Sequence, residues 1–409
     1  MALAVSGGSD SMALLRLADE SLVPHEGPHP SRAEGGARHL PPHRFAMPEK
    51  DAGPRLSVLT VDHGLRAQSA AEAKQVAEWT AALGLLHVTL TWDGPKPRTG
   101  LQAKARQARY ELMAGWCRAH GASVLLTAHT LDDQAETVLM RLARTSSFDS
   151  LAGIYRIGGW NGLKLFRPLL GERREALRSW LLQVGQGWID DPSNADERFE
   201  RVRIRKAMPL LGELGIAPEA LARLAAQALD VTHALWGAAQ DWVRLHVEDH
   251  DTGYCHVDRE AFADQTELLK TRILGLLISR YGAGAMPEPG QLDLLSAWLA
   301  SPGLGRRTLG GAVVARRSRT LLIGREAGRI DAAPAAVPAS GELLWDGRFQ
   351  VKAPPGSVVR PAVAAGKFSR CGELPAFVQA SLPAVTGVEG GTILPSLKPG
   401  DAVSARFCR

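Results

Sequence analysis

The segment Ser6-Gly7-Gly8-Ser9-Asp10-Ser11 constrains this chain more than any other stretch. A short apolar run, Ala2–Val5, leads into it, and helical apolar periodicity through Leu14, Leu15 and Leu17 follows. That succession reads as a strand, a glycine turn and a helix N-terminus. Two glycines let the backbone take φ > 0 and approach a ligand closely. Unpaired N–H groups at the helix start, the helix dipole and the serine hydroxyls together favour an anion. The predicted element is a phosphate cradle at the carboxyl end of a first strand, where open α/β sheets bind ligands. The competing reading is an ordinary glycine turn capped by Ser9.

The alternation continues. Leu56–Val61, His87–Thr91 and Ser123–Ala128 read as further strands, and Ala70–Leu83, Leu101–Ala119 and Asp132–Leu142 as helices. Strands alternating with helices predict an α/β fold, a doubly wound parallel sheet, over residues 1–210. Residues 20–55 lack apolar periodicity and are rich in Pro, His and Gly, so they are expected as a mobile insertion. Its histidines (His25, His29, His39, His43) are too irregularly spaced to suggest a metal site. An amphipathic helix is expected over Glu172–Val184. Helical patterns over Pro218–Val247, Arg259–Arg280 and Gly290–Leu299 predict a small helical domain, 211–302. Short alternating runs broken by Pro and Gly predict a mostly β region, 303–409.

Composition excludes several classes. With 45% hydrophobic and 22% charged residues, the chain reads as an ordinary globular protein. It has no run of eighteen apolar residues and no signal peptide, so neither a membrane span nor export is expected. The four cysteines are scattered without a C-x-x-C, which argues against zinc, iron–sulfur clusters and a disulfide scaffold and favours a reducing cytoplasm. The net charge of +5 conceals two basic groups: Arg198, Arg201, Arg203, Arg205 and Lys206, then Arg306, Arg307, Arg316, Arg317 and Arg319. Such groups suit either a polyanion or a solvated face.

Two further motifs lie at predicted strand ends. Asp62-His63 follows the second strand, and His129-Thr130-Leu131-Asp132-Asp133-Gln134-Ala135-Glu136 follows the fourth. On a helix starting near Leu131, His129, Asp133 and Glu136 project from one side of the first turn. Three carboxylates and a histidine exceed what capping requires, which points to metal binding or general-base chemistry.

No Walker loop, G-x-x-x-x-G-K-S/T, is present. S-G-G-S-D-S instead resembles the PP-loop of ATP pyrophosphatases, which split ATP between its α- and β-phosphates. With V-D-H-G-L-R, L-Q-A-K-A-R-Q-A-R-Y, H-T-L-D-D-Q-A-E-T, S-L-A-G-I, F-R-P-L-L, W-I-D-D-P-S-N and R-V-R-I-R in order, residues 4–211 resemble the tRNA(Ile)-lysidine synthetase family. The resemblance implies ATP and Mg²⁺ as cofactors, with tRNA(Ile) bearing a CAU anticodon and free L-lysine as substrates. It implies no membrane and no DNA partner, and a homodimer is a candidate assembly. In that family the wobble cytidine O2 attacks the α-phosphate, pyrophosphate leaves, and the lysine ε-amine then displaces AMP from C2.

Carried onto this sequence, Ser6, Gly7, Gly8, Ser9, Asp10 and Ser11, with Asp62 and His63, would hold ATP. Asp10 and Asp133 would hold Mg²⁺. Asp10, Asp132, Asp133, Glu136 and His129 would form the catalytic group. Arg106 and Arg109 would meet the adenylate phosphate or tRNA, although a salt-bridged helix face is an equal reading for Arg106. Arg201, Arg203 and Arg205 would contact the tRNA backbone; Arg201 and Arg205 align on one face, while Arg203 points elsewhere and could brace Asp190 or Asp191 instead. Trp188 reads as core rather than as a base-stacking platform. The family's second histidine is Thr130 here, Arg144-Thr145-Ser146-Ser147 lacks two family glycines, and Val202 replaces an asparagine. Two alternatives stay open: a thiolase-like PP-loop enzyme, and a catalytically decayed tRNA-binding protein.

Overall fold

The computed structural model describes residues 1–22, 56–65, 68–94, 96–97, 99–144, 147–191, 195–282, 284, 286–366, 368–369, 374–397, 400 and 402–408. The expected insertion falls almost wholly outside these residues, as do Pro192–Asn194, Thr145, Ser146 and Cys371. The chain divides into two compact units, Met1–Leu229 and Asp230–Arg409.

In the first unit the elements run β1 (Ala2–Ala4), α1 (Ser9–Leu22), β2 (Ser57–Asp62), α2 (Ser69–Ala82), β3 (Leu86–Thr91), α3 (Leu101–Ala119), β4 (Val124–Leu126) and α4 (Leu131–Arg144). After them come β5 (Ile157–Trp160), β6 (Leu163–Phe166), α5 (Arg174–Gln183), α6 (Glu200–Glu213) and α7 (Pro218–His246), which contains the division point. The six strands form one sheet in the order β3-β2-β1-β4-β6-β5. All neighbours are parallel except β5 and β6. Side-chain alternation explains why helices cover both faces. Leu3, Val58 and Leu126 point to a core shared with Leu15 of α1 and Leu177 and Leu181 of α5. Ala2, Leu59 and Leu125 point the other way, to Tyr110, Met113 and Cys117 of α3. Strand order reverses between β1 and β4, so the crevice beyond their carboxyl ends is the switch point at which such sheets bind ligands.

The β5–β6 hairpin was not expected. Its turn is Asn161-Gly162, with φ of +46° and +82°, the dipeptide that best accommodates two left-handed residues.

The second unit holds a five-stranded antiparallel sheet in the order β7-β8-β11-β10-β9. Its strands are β7 (Val247–His250), β8 (Tyr254–Asp258), β9 (Gly305–Leu309), β10 (Ala312–Arg316) and β11 (Thr320–Arg325). Between β8 and β9 lie α8 (Arg259–Ala263), α9 (Glu267–Tyr281) and α10 (Pro289–Ala300). Two smaller antiparallel sheets follow. The segment expected as a helical domain is therefore shared between units. Residues 211–229 belong to the first, and residues 247–258 pair into the same sheet as 305–325. The reason is a common core: Cys255 and Val257 of β8 pack with Ile273 and Leu277 of α9 and Val314 and Ile323 of β10 and β11. Within the second basic group, Arg316 is structural. Its guanidinium is buried over the Trp298 ring at 4.5 Å and donates to the Ser301 carbonyl. No helix among the described residues is long and apolar enough to cross a membrane.

Candidate active site

The glycine turn is tightly built. Ser6 N–H donates to Ser11 Oγ at 3.2 Å, and Ser11 Oγ–H donates to the Gly8 carbonyl at 2.9 Å. Gly7 has φ +86°, and a Cβ there would lie 2.7 Å from Ile189 Cδ1 and 3.0 Å from Val76 Cγ2. Only glycine fits. Ile189 N–H donates to the Gly7 carbonyl at 2.9 Å, so the Trp188–Asp190 segment straps the turn from outside. Arg178 of α5 ties strap to turn, donating to Ser9 Oγ at 3.1 Å and to Asp190 at 3.0 Å. Trp188 packs against the core beside Ile189 and carries the Arg178 guanidinium over its ring.

Across the crevice, α4 begins with a reciprocal cap. Thr130 N–H and Oγ1–H donate to Asp133 Oδ2 at 2.8 and 3.1 Å, and Asp133 N–H donates back to Thr130 Oγ1 at 3.3 Å. The threonine in place of a second histidine thus becomes a helix cap. Asp132 accepts from Arg174 N–H at 2.7 Å and Arg173 Nε at 3.1 Å, and Arg173 also reaches Glu219 at 2.6 Å.

Arg174 is the hub. Its Nε donates to Asp10 Oδ2 at 2.9 Å and its Nη2 to Asp133 Oδ1 at 2.8 Å, while Nη1 lies 3.5 Å from Glu136 Oε1. Asp133 Oδ1 also accepts from Arg201 Nη2 at 3.0 Å. Glu136, 1% exposed, takes Arg201 Nε at 2.5 Å and Arg205 Nε at 2.7 Å. Here the arrangement departs from the expectation for Arg201 and Arg205: they do align, but their guanidinium groups face the α4 carboxylates. The buried charge on Glu136 requires partners, and these two supply them. Arg203 donates to the Glu197 and Arg198 carbonyls at 2.8 and 3.1 Å rather than to Asp190 or Asp191.

The electrostatics follow from burial and pairing. Burial raises the Asp10 carboxyl above its ordinary value, and Arg174 offsets only part of this. Burial would also raise Asp133, but Arg201, Arg174 and the Thr130 N–H outweigh it and hold the group below its ordinary range. Burial opposes the charge on Arg174, yet Asp133 and Asp10 keep its pKa above normal.

His129, hydrogen-bonded through Nδ1 to Thr127 Oγ1 at 3.1 Å, is pushed by burial down to about 3. It is neutral at physiological pH. Because its folded value lies below the unfolded 6.5, the unfolded chain protonates first, and stability is lost as pH falls from about 6.5 toward 3. By pH 5 the loss from this group is about 2 kcal/mol. Asp133 adds in the same direction at lower pH, and Asp10 opposes it. In thermal melts, the fall in midpoint between pH 7 and pH 5 is expected to be smaller in His129→Gln than in the parent chain. An unchanged slope would assign the acid sensitivity to other groups.

The remaining predicted residues lie at β2 and α3. Asp62 closes its own turn through the Gly64 N–H at 2.8 Å and the Ser69 hydroxyl, which together lower its pKa. His63 packs edge-on to Trp92, with Nδ1 buried and unpartnered among the described residues. Arg106 and Arg109 flank the Tyr110 ring, their guanidinium carbons 5.2 and 5.7 Å from its centroid. Arg109 has no hydrogen-bond or carboxylate partner among the described residues, and burial lowers its pKa. It also acts electrostatically on His63. A half-buried, unpaired guanidinium is chemically suited to an incoming phosphate.

Sequence reasoning missed Arg173, Arg174 and Arg178. A signal existed: two adjacent arginines at a helix start oppose the helix dipole, so they need acidic partners elsewhere. Asp10 and Asp133 present carboxylate oxygens to one cationic group. That all-oxygen pair fits a hard divalent cation such as Mg²⁺, for which these two residues would be the ligands.

A PP-loop domain family matches residues 1–211. The tRNA(Ile)-lysidine synthase of Mesorhizobium japonicum (strain LMG 29417 / CECT 9101 / MAFF 303099) is 39% identical over 360 residues, covering 85% of this chain and 71% of that protein. The synthase of that name from Rhodopseudomonas palustris (strain ATCC BAA-98 / CGA009) is 39% identical over 335 residues, 78% of this chain and 89% of its own. The one from Rhizobium meliloti (strain 1021) aligns over 416 residues at 34% identity, covering 99% of this chain and 83% of its own.

Proposed function

The chain belongs to the tRNA(Ile)-lysidine synthase family of PP-loop enzymes, and from that premise we propose how its first unit makes lysidine. It is an ATP-dependent ligase that forms a C–N bond in tRNA. The Ser6–Ser11 turn receives the pyrophosphate end of ATP through backbone N–H groups and hydroxyls. Arg109 and His63 meet the α-phosphate side. The wobble cytidine of a CAU-anticodon tRNA(Ile), splayed from its single-stranded loop, attacks through O2 and releases pyrophosphate. The ε-amine of free L-lysine then attacks C2 and releases AMP.

A lysine amine of pKa ≈ 10.4 is neutral about once in 2,500 at pH 7, a cost of roughly 4.6 kcal/mol. We assign Asp132, Asp133 and Glu136 to binding its cationic form and taking its proton. Without substrates, Arg173, Arg174, Arg201 and Arg205 neutralise them, so an incoming ammonium or Mg²⁺ has to exchange with a guanidinium. Bound Mg²⁺ would neutralise phosphate charge as pyrophosphate departs. Arg174 supports this reading above all: one guanidinium joins Asp10 of the phosphate turn to Asp133 of the acidic helix, across the switch point of the sheet.

A thiolase-like reading is less well supported. Of the three cysteines described, Cys117 and Cys255 are fully buried, with pKa values raised by burial, as inert thiols are, and the exposed Cys408 belongs to the second unit. A cytoplasmic location and a homodimer belong to the proposal. Incubating the chain with ATP, labelled lysine and CAU-anticodon tRNA(Ile) is expected to release one AMP and one pyrophosphate per lysine joined. ATP-independent incorporation, or none, would overturn it.

A further inference from the structure

We propose that Glu248, His250 and His256 form a site for a divalent transition metal of the zinc class, separate from the catalytic crevice. All three lie on one face of the β7–β8 hairpin. Glu248 and His250 are two residues apart on β7, so they share a face. His256 on β8 is the direct cross-strand partner of Glu248, and His250 is the diagonal neighbour. One donor atom from each lies within 4.8 Å of the other two. Tetrahedral bonds of about 2.0–2.1 Å place neighbouring donors roughly 3.3 Å apart, so small side-chain rotations close the set.

The state of these side chains supports a ligand here. None of the three side chains makes a hydrogen bond or ion pair among the described residues. His250 Nε2 is buried and unpartnered, a condition that buried polar atoms rarely tolerate without an unseen partner. The His250 ring is held in place by stacking on Tyr254, with centroids 4.4 Å apart and planes 9° apart, so a metal would meet a fixed imidazole.

The chemistry selects the ion. Two imidazoles and one carboxylate suit Zn²⁺ over Mg²⁺ or Ca²⁺, which prefer all-oxygen shells. Glu248 and His256 line an open cleft of about 830 Å³. A fourth position is thereby open to water or an oxygen donor. The cleft's charges (Glu248, Asp258 and Glu260 against Arg259 and Arg319) set up no net positive barrier to a cation. Cysteine spacing, which argued against zinc, does not bear on a histidine site assembled across a hairpin.

The test uses the full chain, stripped with chelator and titrated with Zn²⁺ alone against a chromophoric competitor, with Co²⁺ absorption as a second probe. The expected result is one equivalent bound at about 1 µM or tighter. Substituting one ligand should weaken this by more than the roughly 10–100-fold that outer partners cost. That loss is expected in His250→Ala, in the more conservative His256→Gln and in Glu248→Gln, with far-UV circular dichroism unchanged. Zn²⁺ should raise the melting midpoint of the parent chain and not that of His256→Gln. Absence of the tight phase from the parent chain would overturn the site. So would its persistence in a folded His250→Ala/His256→Ala double variant, which would place the ion elsewhere.

Discussion

Asp10→Ala is expected to lower ATP-dependent lysine incorporation by about 10²–10³-fold, the loss typical of removing one preorganised group that stabilises developing charge. The affinity for tRNA should stay within about twofold of the parent value. Asp10 sits in the first turn of α1, inside the Ser6–Ser11 turn, and its carboxylate is joined to α4 through Arg174. Its removal takes away a ligand expected for Mg²⁺ and unlinks the turn from the acidic helix. The fold should survive, because Arg174 keeps Asp133 and Glu136 as partners. Pyrophosphate release, tRNA filter binding and a thermal melt on one preparation separate these effects. Near-normal turnover would remove Asp10 from the chemistry, and lost tRNA binding would show damage beyond the nucleotide site.

Glu136→Ala is expected to act first on stability. Its side chain is 2% exposed, and three guanidinium groups converge on it. Removing it leaves Arg174, Arg201 and Arg205 facing one another without their shared anion. Breaking a buried ionic group from one side costs about 3–5 kcal/mol. Arg201 and Arg205 are about one-third exposed and can turn toward water, so the lower end of that range applies. For a unit of this size, about 3 kcal/mol lowers the midpoint by roughly 6–12 °C. Activity should fall as well, since Arg201 also holds Asp133. Glu136→Gln, which keeps acceptor capacity on one atom, should lose less. An unchanged midpoint would contradict the structural role given to Glu136, whatever happens to the KM for lysine.

The strand, glycine turn and helix start were legible in the sequence because their causes are local. An apolar run, two glycines and a helical repeat occupy residues 2–17, and Gly7 is where both φ and close packing require glycine. The parallel sheet was legible too, since short apolar runs alternate with helical patterns from Ala2 to Leu142. Short strands were harder to see. Tyr254–Asp258 lies between two helical patterns, and its place in a sheet depends on pairing with Thr320–Arg325, some sixty residues onward. The Asn161-Gly162 turn was a usable sign that went unread.

In the site, residue types were easier to read than partners. The spacing of Arg201 and Arg205 indicated a common face, but nothing local shows that this face meets Glu136. Their basic run fits a polyanion equally well until the carboxylates of α4 stand opposite. Arg174 was harder still, because its role depends on three acids from two distant elements. Thr130 shows the reverse: a departure from the family pattern proves structurally coherent once its cap with Asp133 is visible.

The most direct test of the central claim omits lysine. With ATP labelled at the α-phosphate, CAU-anticodon tRNA(Ile) and Mg²⁺, label is expected on the wobble cytidine alongside an equal amount of free pyrophosphate. Added lysine should then discharge it as AMP. Unlabelled tRNA together with orthophosphate and ADP in place of pyrophosphate would contradict the account.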